Sequence, residues 1–396
     1  MAMSPGPAMR SRERLLAAMR REQPDRVPFW SLWRARSAPF DHRDQVSRAE
    51  AVLALGLDDT LLLQPPLNKT EHYEAEQAPG VTGRCRRQQS PDGPLLVQEW
   101  GTPAGTLRQV VQHTDDWPYG QHVRLFSDHN VSRSLRFPVV DEEDLPRLAW
   151  LLGDPSAEQV REFRDRAAQL RHEAERLGVV LEGGWTALGD AALWLLGTEA
   201  LLLGQTDRPE FVEAVLDIVW RWEMRRVELL LEEGVDVLVH SAWYECTDFW
   251  TPTTFRQLLK PRLRRLVETA HQAGALVSYI ITTSWGPLLD DLVEIGVDSL
   301  VGVDPVQGKA PLDWVRQHAS GRICLWGGVN GALTLGRGTP EEIERATAEA
   351  IETLGPGGGF VLSAVDQVVA DTPWPNVEAM VRAWRARAGY PISSRG

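Results

Sequence analysis

The chain has 396 residues, 43% of them hydrophobic and 24% charged, a balance that sustains a large globular core. A formal net charge of −13 argues against an extended basic footprint for nucleic acid or anionic lipid. The three cysteines, Cys85, Cys246 and Cys324, are far apart and odd in number, which argues against a disulfide framework and fits a reducing cytoplasm.

Residues 1–25 read as a leader and helix without the apolar core of a signal peptide. Within them, 11–21 is amphipathic, with Leu15, Leu16 and Met19 on one face. Residues 27–33 predict a first strand, 48–55 a helix and 60–63 a second strand. From about 80 to 135, Gly, Pro and Thr recur at short intervals around strand-like pieces at 95–100 and 106–112. This stretch predicts a β-hairpin decoration, with Arg84, Arg86 and Arg87 in a solvated turn.

A regular alternation then begins. The helix 157–177 precedes a strand at 179–181, and helices at 190–204 and 208–232 precede 235–240. Helix 252–273 leads to 275–281, 286–295 to 299–303, 312–318 to 323–326, and 340–354 to 359–362. Eight strands in this order predict an α/β chain forming a single (β/α)8 TIM barrel over 26–390, with 391–396 as a tail. No G-x-G-x-x-G follows an early strand, which disfavours a dinucleotide-binding open sheet. Apolar runs are far too short to span a membrane, so a cytoplasmic chain with no membrane or nucleic-acid partner is expected.

In such a barrel the reacting groups stand at the C-terminal ends of the strands. Trp30, Trp33, Trp185, Trp243, Trp285 and Trp326 all fall at or just past strand ends. They either plug the barrel top or form a flat, apolar pocket wall. His240 ends the fourth strand, and Tyr244, Glu245 and Asp248 follow it; a histidine there suits acid–base work, with Glu245 beside it. Tyr279 and Asp304 end the fifth and sixth strands. His240, Glu245 and Asp366 are of metal-ligand type, but no spacing rule joins them.

The segments 11–30, 56–63, 207–222 with 232–240, 286–300 and 327–384 together resemble the uroporphyrinogen decarboxylase-like superfamily. That superfamily contains cofactor-independent decarboxylases and zinc-dependent methyltransferases that work with corrinoid proteins. The resemblance implies its barrel, and it maps the methyltransferase's His-x-Cys pair onto Ile280 and Thr282 and its last Cys onto Asp366. The decarboxylase's strand-two aspartate maps onto Pro65, its tyrosine near Asp190, and its late histidine again onto Asp366. Both branches thus place chemistry at Asp366, whose apolar neighbours would raise its pKa if it were buried. The N-terminal arginine pair that holds substrate carboxylates has a partial counterpart in Arg34 and Arg36.

These substitutions imply a divergent member, a lyase that decarboxylates a small, carboxylated, ring-containing substrate other than uroporphyrinogen. Neither metal nor cofactor is expected. Asp366, His240, Glu245 and Tyr279 are the catalytic candidates. Arg34, Arg36, Trp30, Trp33, Trp185, Asp190, Trp243, Tyr244, Asp248, Trp285 and Asp304 are the substrate-binding ones. The alternatives are zinc-free methyl transfer beside a corrinoid protein, or a non-catalytic binding barrel. The resemblance is also compatible with a homodimer paired through helices.

Overall fold

Local signals cut the chain into its elements. The helix Ala157–Leu177 starts at Ser156, which exchanges hydrogen bonds with Gln159, and stops at Gly178 in the left-handed region (φ 69°). Thr339 and Glu342 start the helix Pro340–Leu354 in the same way. The computed structural model describes residues 8–33, 44–69, 76–369 and 371–392. In chain order its strands are β1 (Thr60–Leu63), β2 (Thr82–Ser90), β3 (Gly93–Thr102), β4 (Gly105–Gln112), β5 (Ser134–Arg136) and β6 (Val180–Ala187). There follow β7 (Val237–Ser241), β8 (Leu276–Ile280), β9 (Ser299–Val303), β10 (Cys324–Asn330) and β11 (Phe360–Val365).

Seven strands pair in parallel in the order β1-β6-β7-β8-β9-β10-β11. β7, β10 and β11 are buried along their whole length, as expected where one face meets helices and the other a filled interior. Side chains from all seven strands line one central cavity, so the sheet is curled around it. The first expected strand, 27–33, is irregular. Bridges Phe29↔Leu362 and Trp33↔Val368 tie it along the β11 edge, and the Phe29 carbonyl accepts from Asp58 N (2.8 Å) just before β1. Pro28 lacks the N–H a regular ladder needs, although its carbonyl still accepts from Leu362 N (2.9 Å).

The region expected as a hairpin is a four-stranded antiparallel sheet, β2-β3-β4-β5. β2 has no apolar alternation in its sequence and is held by pairing with β3 along its length. Arg84, Arg86 and Arg87 lie exposed on this edge strand, not in a turn; charges there discourage edge-to-edge association. Among the described residues no helix is long and apolar enough to cross a membrane.

The helix Ser11–Met19 closes one end of the curled sheet. Its Leu15, Leu16, Ala18 and Met19 pack on Val180, Val237, Cys324 and Val361, which stand at the starts of four strands. Burying such side chains contributes roughly 1.5–3 kcal/mol each. A buried ion pair fixes the plug: Arg14 donates to Asp58 (2.6 Å) and Asp25 (2.6 Å), and Asp58 also accepts from Phe29 N (3.1 Å). Asp58→Ala would leave the buried Arg14 guanidinium with Asp25 as its one carboxylate partner and a backbone N–H without its acceptor. Its expected cost is about 3–5 kcal/mol in urea unfolding, against less than about 1 kcal/mol for removing the exposed Arg225–Glu228 pair.

Candidate active site

The cavity inside the curl measures about 1130 Å³ and lies above the helical plug. Strand alternation decides which polar side chains reach it. Along β7, Val239 and Ser241 face the cavity; along β8, Ser278 and Ile280 do. His240 and Tyr279 therefore face the other way, into the layer between sheet and helices, where both are fully buried.

Behind the sheet they join a closed polar network. His240 Nδ1 meets Thr186 Oγ1 (2.8 Å), and its Nε2 lies 3.1 and 3.2 Å from the two Glu245 oxygens. Glu245 also accepts from Tyr279 OH (2.6 Å) and Gly189 N (2.6 Å). Burial works against a charged His240, but the Glu245 carboxylate, joined by Asp190 and Glu223, holds the imidazole's pKa above its usual value. Burial and the same carboxylate keep the Tyr279 phenol well above its ordinary range. The three expected catalytic residues His240, Glu245 and Tyr279 are thus brought together, but outside the cavity lining.

Asp190 belongs to the same hidden layer. It accepts from Ser241 Oγ (2.7 Å), Trp243 N (3.2 Å) and Tyr244 N (2.7 Å). Burial, aided by the Glu245 charge, pushes its carboxyl up to about 7. Expected as a substrate contact, it does not line the cavity; it anchors the end of β7 and the following loop, whose Ser241, Trp243 and Tyr244 do. Asp248 is exposed off the cavity and accepts from Ser284 Oγ (2.8 Å). Trp285 is buried against Trp314 (5.8 Å between rings) and does not reach the cavity either.

The other indoles behave as a pocket wall. Trp30, Trp33, Trp185, Trp243 and Trp326 all line the cavity. Trp30 meets Trp326 edge-on (5.2 Å, 88°), next to the plug. Trp185 reaches the interior through a bulge in β6, where the register with β7 slips between Gly184 and Thr186. Only glycine fits before it: at φ 152°, a Cβ on Gly184 would come within 2.8 Å of the Val239 carbonyl.

Asp366 lines the cavity, as do Ile280 and Thr282, but it is exposed at the end of β11. The burial on which a raised pKa was conditional is absent. Its left-handed backbone (φ 72°) marks a sharp turn out of the strand. Asp304 lines the cavity as expected, nearly buried, accepting from Asn330 Nδ2 (2.7 Å) and the amides of Val306 and Gln307. Arg34 and Arg36 lie outside the described residues. His240 and Glu245 are separated from Asp366 by the sheet, and among the described residues no three His, Cys, Asp or Glu side chains converge as metal ligands would.

Glu182 is the residue that sequence reasoning missed. It lies on β6, faces the cavity, and takes a hydrogen bond from the Thr60 hydroxyl, which itself accepts from Trp30 Nε1 (3.2 Å). Burial pushes its carboxyl up to about 7; Thr60 and Arg48 oppose the rise, and Asp59 adds to it. Arg48, the one cation among the described lining residues, is itself engaged by Asp59 (2.9 and 3.2 Å). The signal in the sequence was a lone acid, two residues into an apolar strand, before Gly-Gly-Trp.

The folded protein holds the Glu182 proton over a pH range, from about 4.5 to about 7, in which the unfolded chain has lost it. That contribution to stability is complete at low pH and is lost as pH rises through 7. Glu182→Gln is therefore expected to be more stable than the parent at pH 8 by about 1–3 kcal/mol, with the advantage shrinking towards pH 5. Melting temperature against pH for both proteins checks this.

Sequence and structure comparisons agree with this scaffold. The curated relatives include a uroporphyrinogen decarboxylase of Methylobacillus flagellatus, 24% identical over 62% of this chain and 69% of that protein. A methylcobamide:CoM methyltransferase MtaA of Methanosarcina barkeri is 26% identical over 51% of this chain and 56% of its own. Among solved structures, a methyltransferase from Methanosarcina mazei superposes with a TM-score of 0.57 at 20% identity, over 96% of this chain and 99% of that one. The family pattern described as Uroporphyrinogen decarboxylase (URO-D) matches residues 119–387, and the chain belongs to that family.

Proposed function

We propose that the chain is an acid–base lyase, a metal-independent decarboxylase of a small carboxylated, ring-containing substrate other than uroporphyrinogen. The observation that carries this reading is Glu182, a carboxyl group inside an aromatic cavity and poised near neutral pH. Loss of CO₂ breaks a carbon–carbon bond and leaves its electron pair on the substrate. The resulting carbanion needs a proton, and a carboxyl group with a pKa near the working pH is suited to give it. Glu182 would then recover its proton from water entering at the mouth. The indoles would hold the ring.

Two features speak against the better-known reactions of the relatives. The positions that would supply a thiolate zinc site carry Ile280, Thr282 and Asp366, so the donor set does not fit that metal. The lining also includes Asp44, Asp59, Asp128, Glu182, Asp304 and Asp366 against Arg48 among the described residues, a poor match for a substrate as rich in carboxylates as uroporphyrinogen.

The test is CO₂ release from a panel of small carboxylated heteroaromatic acids, with uroporphyrinogen alongside. Turnover of at least one small acid is expected, unchanged by a chelator. It should fall about 10²–10⁴-fold in Glu182→Gln and less than about tenfold in Asp366→Asn, which lacks burial to act as the donor. Turnover confined to uroporphyrinogen, loss of activity with chelator, or a fully active Glu182→Gln would each contradict the proposal.

A further inference from the structure

One wall of the cavity surrounds a carboxylate with aromatic rings. Asp128 Oδ1 accepts from Trp194 Nε1 (2.9 Å) and from Tyr244 OH (2.7 Å). Both donors are neutral, and Asp128 forms no ion pair among the described residues. Phe126 stacks on Trp194 (5.5 Å, 28°), while Tyr244 stands nearly perpendicular to Phe249 (5.2 Å, 80°). All five residues line the cavity. Asp128 is exposed to it, and the Tyr244 and Phe249 rings are only half-buried.

Phe126 and Trp194 are buried against each other, so the faces this wall offers are those of Tyr244 and Phe249; ring faces are electronegative, and the carboxylate adds a charge that none of these described residues cancels. Two neutral hydrogen bonds orient Asp128 without neutralising it, which leaves the box complementary to a compact cation with an apolar surface. A second carboxylate would be repelled there. Arg48, the cation among the described lining residues, is bound to Asp59 and does not serve Asp128.

We infer that this box receives a cationic nitrogen, a protonated or methylated amine, of the small molecule that occupies the cavity. Resting on the lyase reading, this makes the substrate amphoteric: its departing carboxylate belongs near Glu182 and its alkylammonium group against Asp128. The inference concerns binding and can be tested without turnover.

Isothermal titration of the full chain with choline, and with its neutral isostere 3,3-dimethylbutanol, separates charge from shape. Choline is expected to bind at least about tenfold more tightly. Asp128→Asn retains an oxygen that can accept from Trp194 and Tyr244, so the wall should stay folded while the preference for choline disappears. Phe249→Leu should weaken choline more than the isostere, and Glu182→Gln should leave the preference in place. Equal binding of the two probes, no measurable choline binding, or an unchanged preference in Asp128→Asn would overturn the inference. If choline binding fails while CO₂ release still depends on Glu182, the cation box falls and the lyase reading stands. If choline binds as expected but no acid loses CO₂, the lyase reading falls and the box remains a cation site.

Discussion

A parallel strand sends successive side chains to opposite faces, and in this chain that alternation sorts the polar residues into two sets with different work. Val239 and Ser241 face the cavity, and His240 between them does not; Ser278 and Ile280 enclose Tyr279 in the same way. The pair at His240 and Tyr279 stacks behind the sheet (5.4 Å, 20°) over Glu245. Glu182, on the neighbouring strand, has the opposite phase and enters the interior. A one-residue change of register would exchange the sets.

The hidden set still shapes the site. Asp190 holds Ser241, Trp243 and Tyr244 through three hydrogen bonds, so the polar layer behind the sheet fixes the wall in front of it. Such networks are costly unless every member is satisfied, and here His240, Glu245, Tyr279 and Thr186 satisfy one another. On the cavity side, Glu182 keeps a half-buried carboxyl whose ionisation its surroundings oppose.

Much of the scaffold was legible in the sequence. The alternation of helices with apolar strands from 157 onward appears as strands β6 to β11, each near its expected place. β2 was illegible because its residues are exposed on both faces and carry no period. The aromatic wall was legible in part: five of the six tryptophans expected at strand ends line the cavity, but Trp185 and Trp326 do so from inside β6 and β10, and Trp285 is turned into the core. His240 and Tyr279 misled because strand-end position says nothing about which face a side chain takes. Asp366 stands where expected, but its exposure depends on a backbone turn that spacing does not reveal. Asp128 and Trp194 come together across 66 residues, a juxtaposition only the fold makes.

The most direct test of this division is chemical modification of carboxyl groups in the native protein, with a carbodiimide and an amine at pH 6, mapped by mass spectrometry. Reaction at Glu182, and its suppression by a ligand that fills the cavity, is the expected result, with Asp190 and Glu245 left unmodified behind the sheet. Modification of Glu245 while Glu182 stays inert would place the reactive face on the wrong side of the sheet and contradict the account.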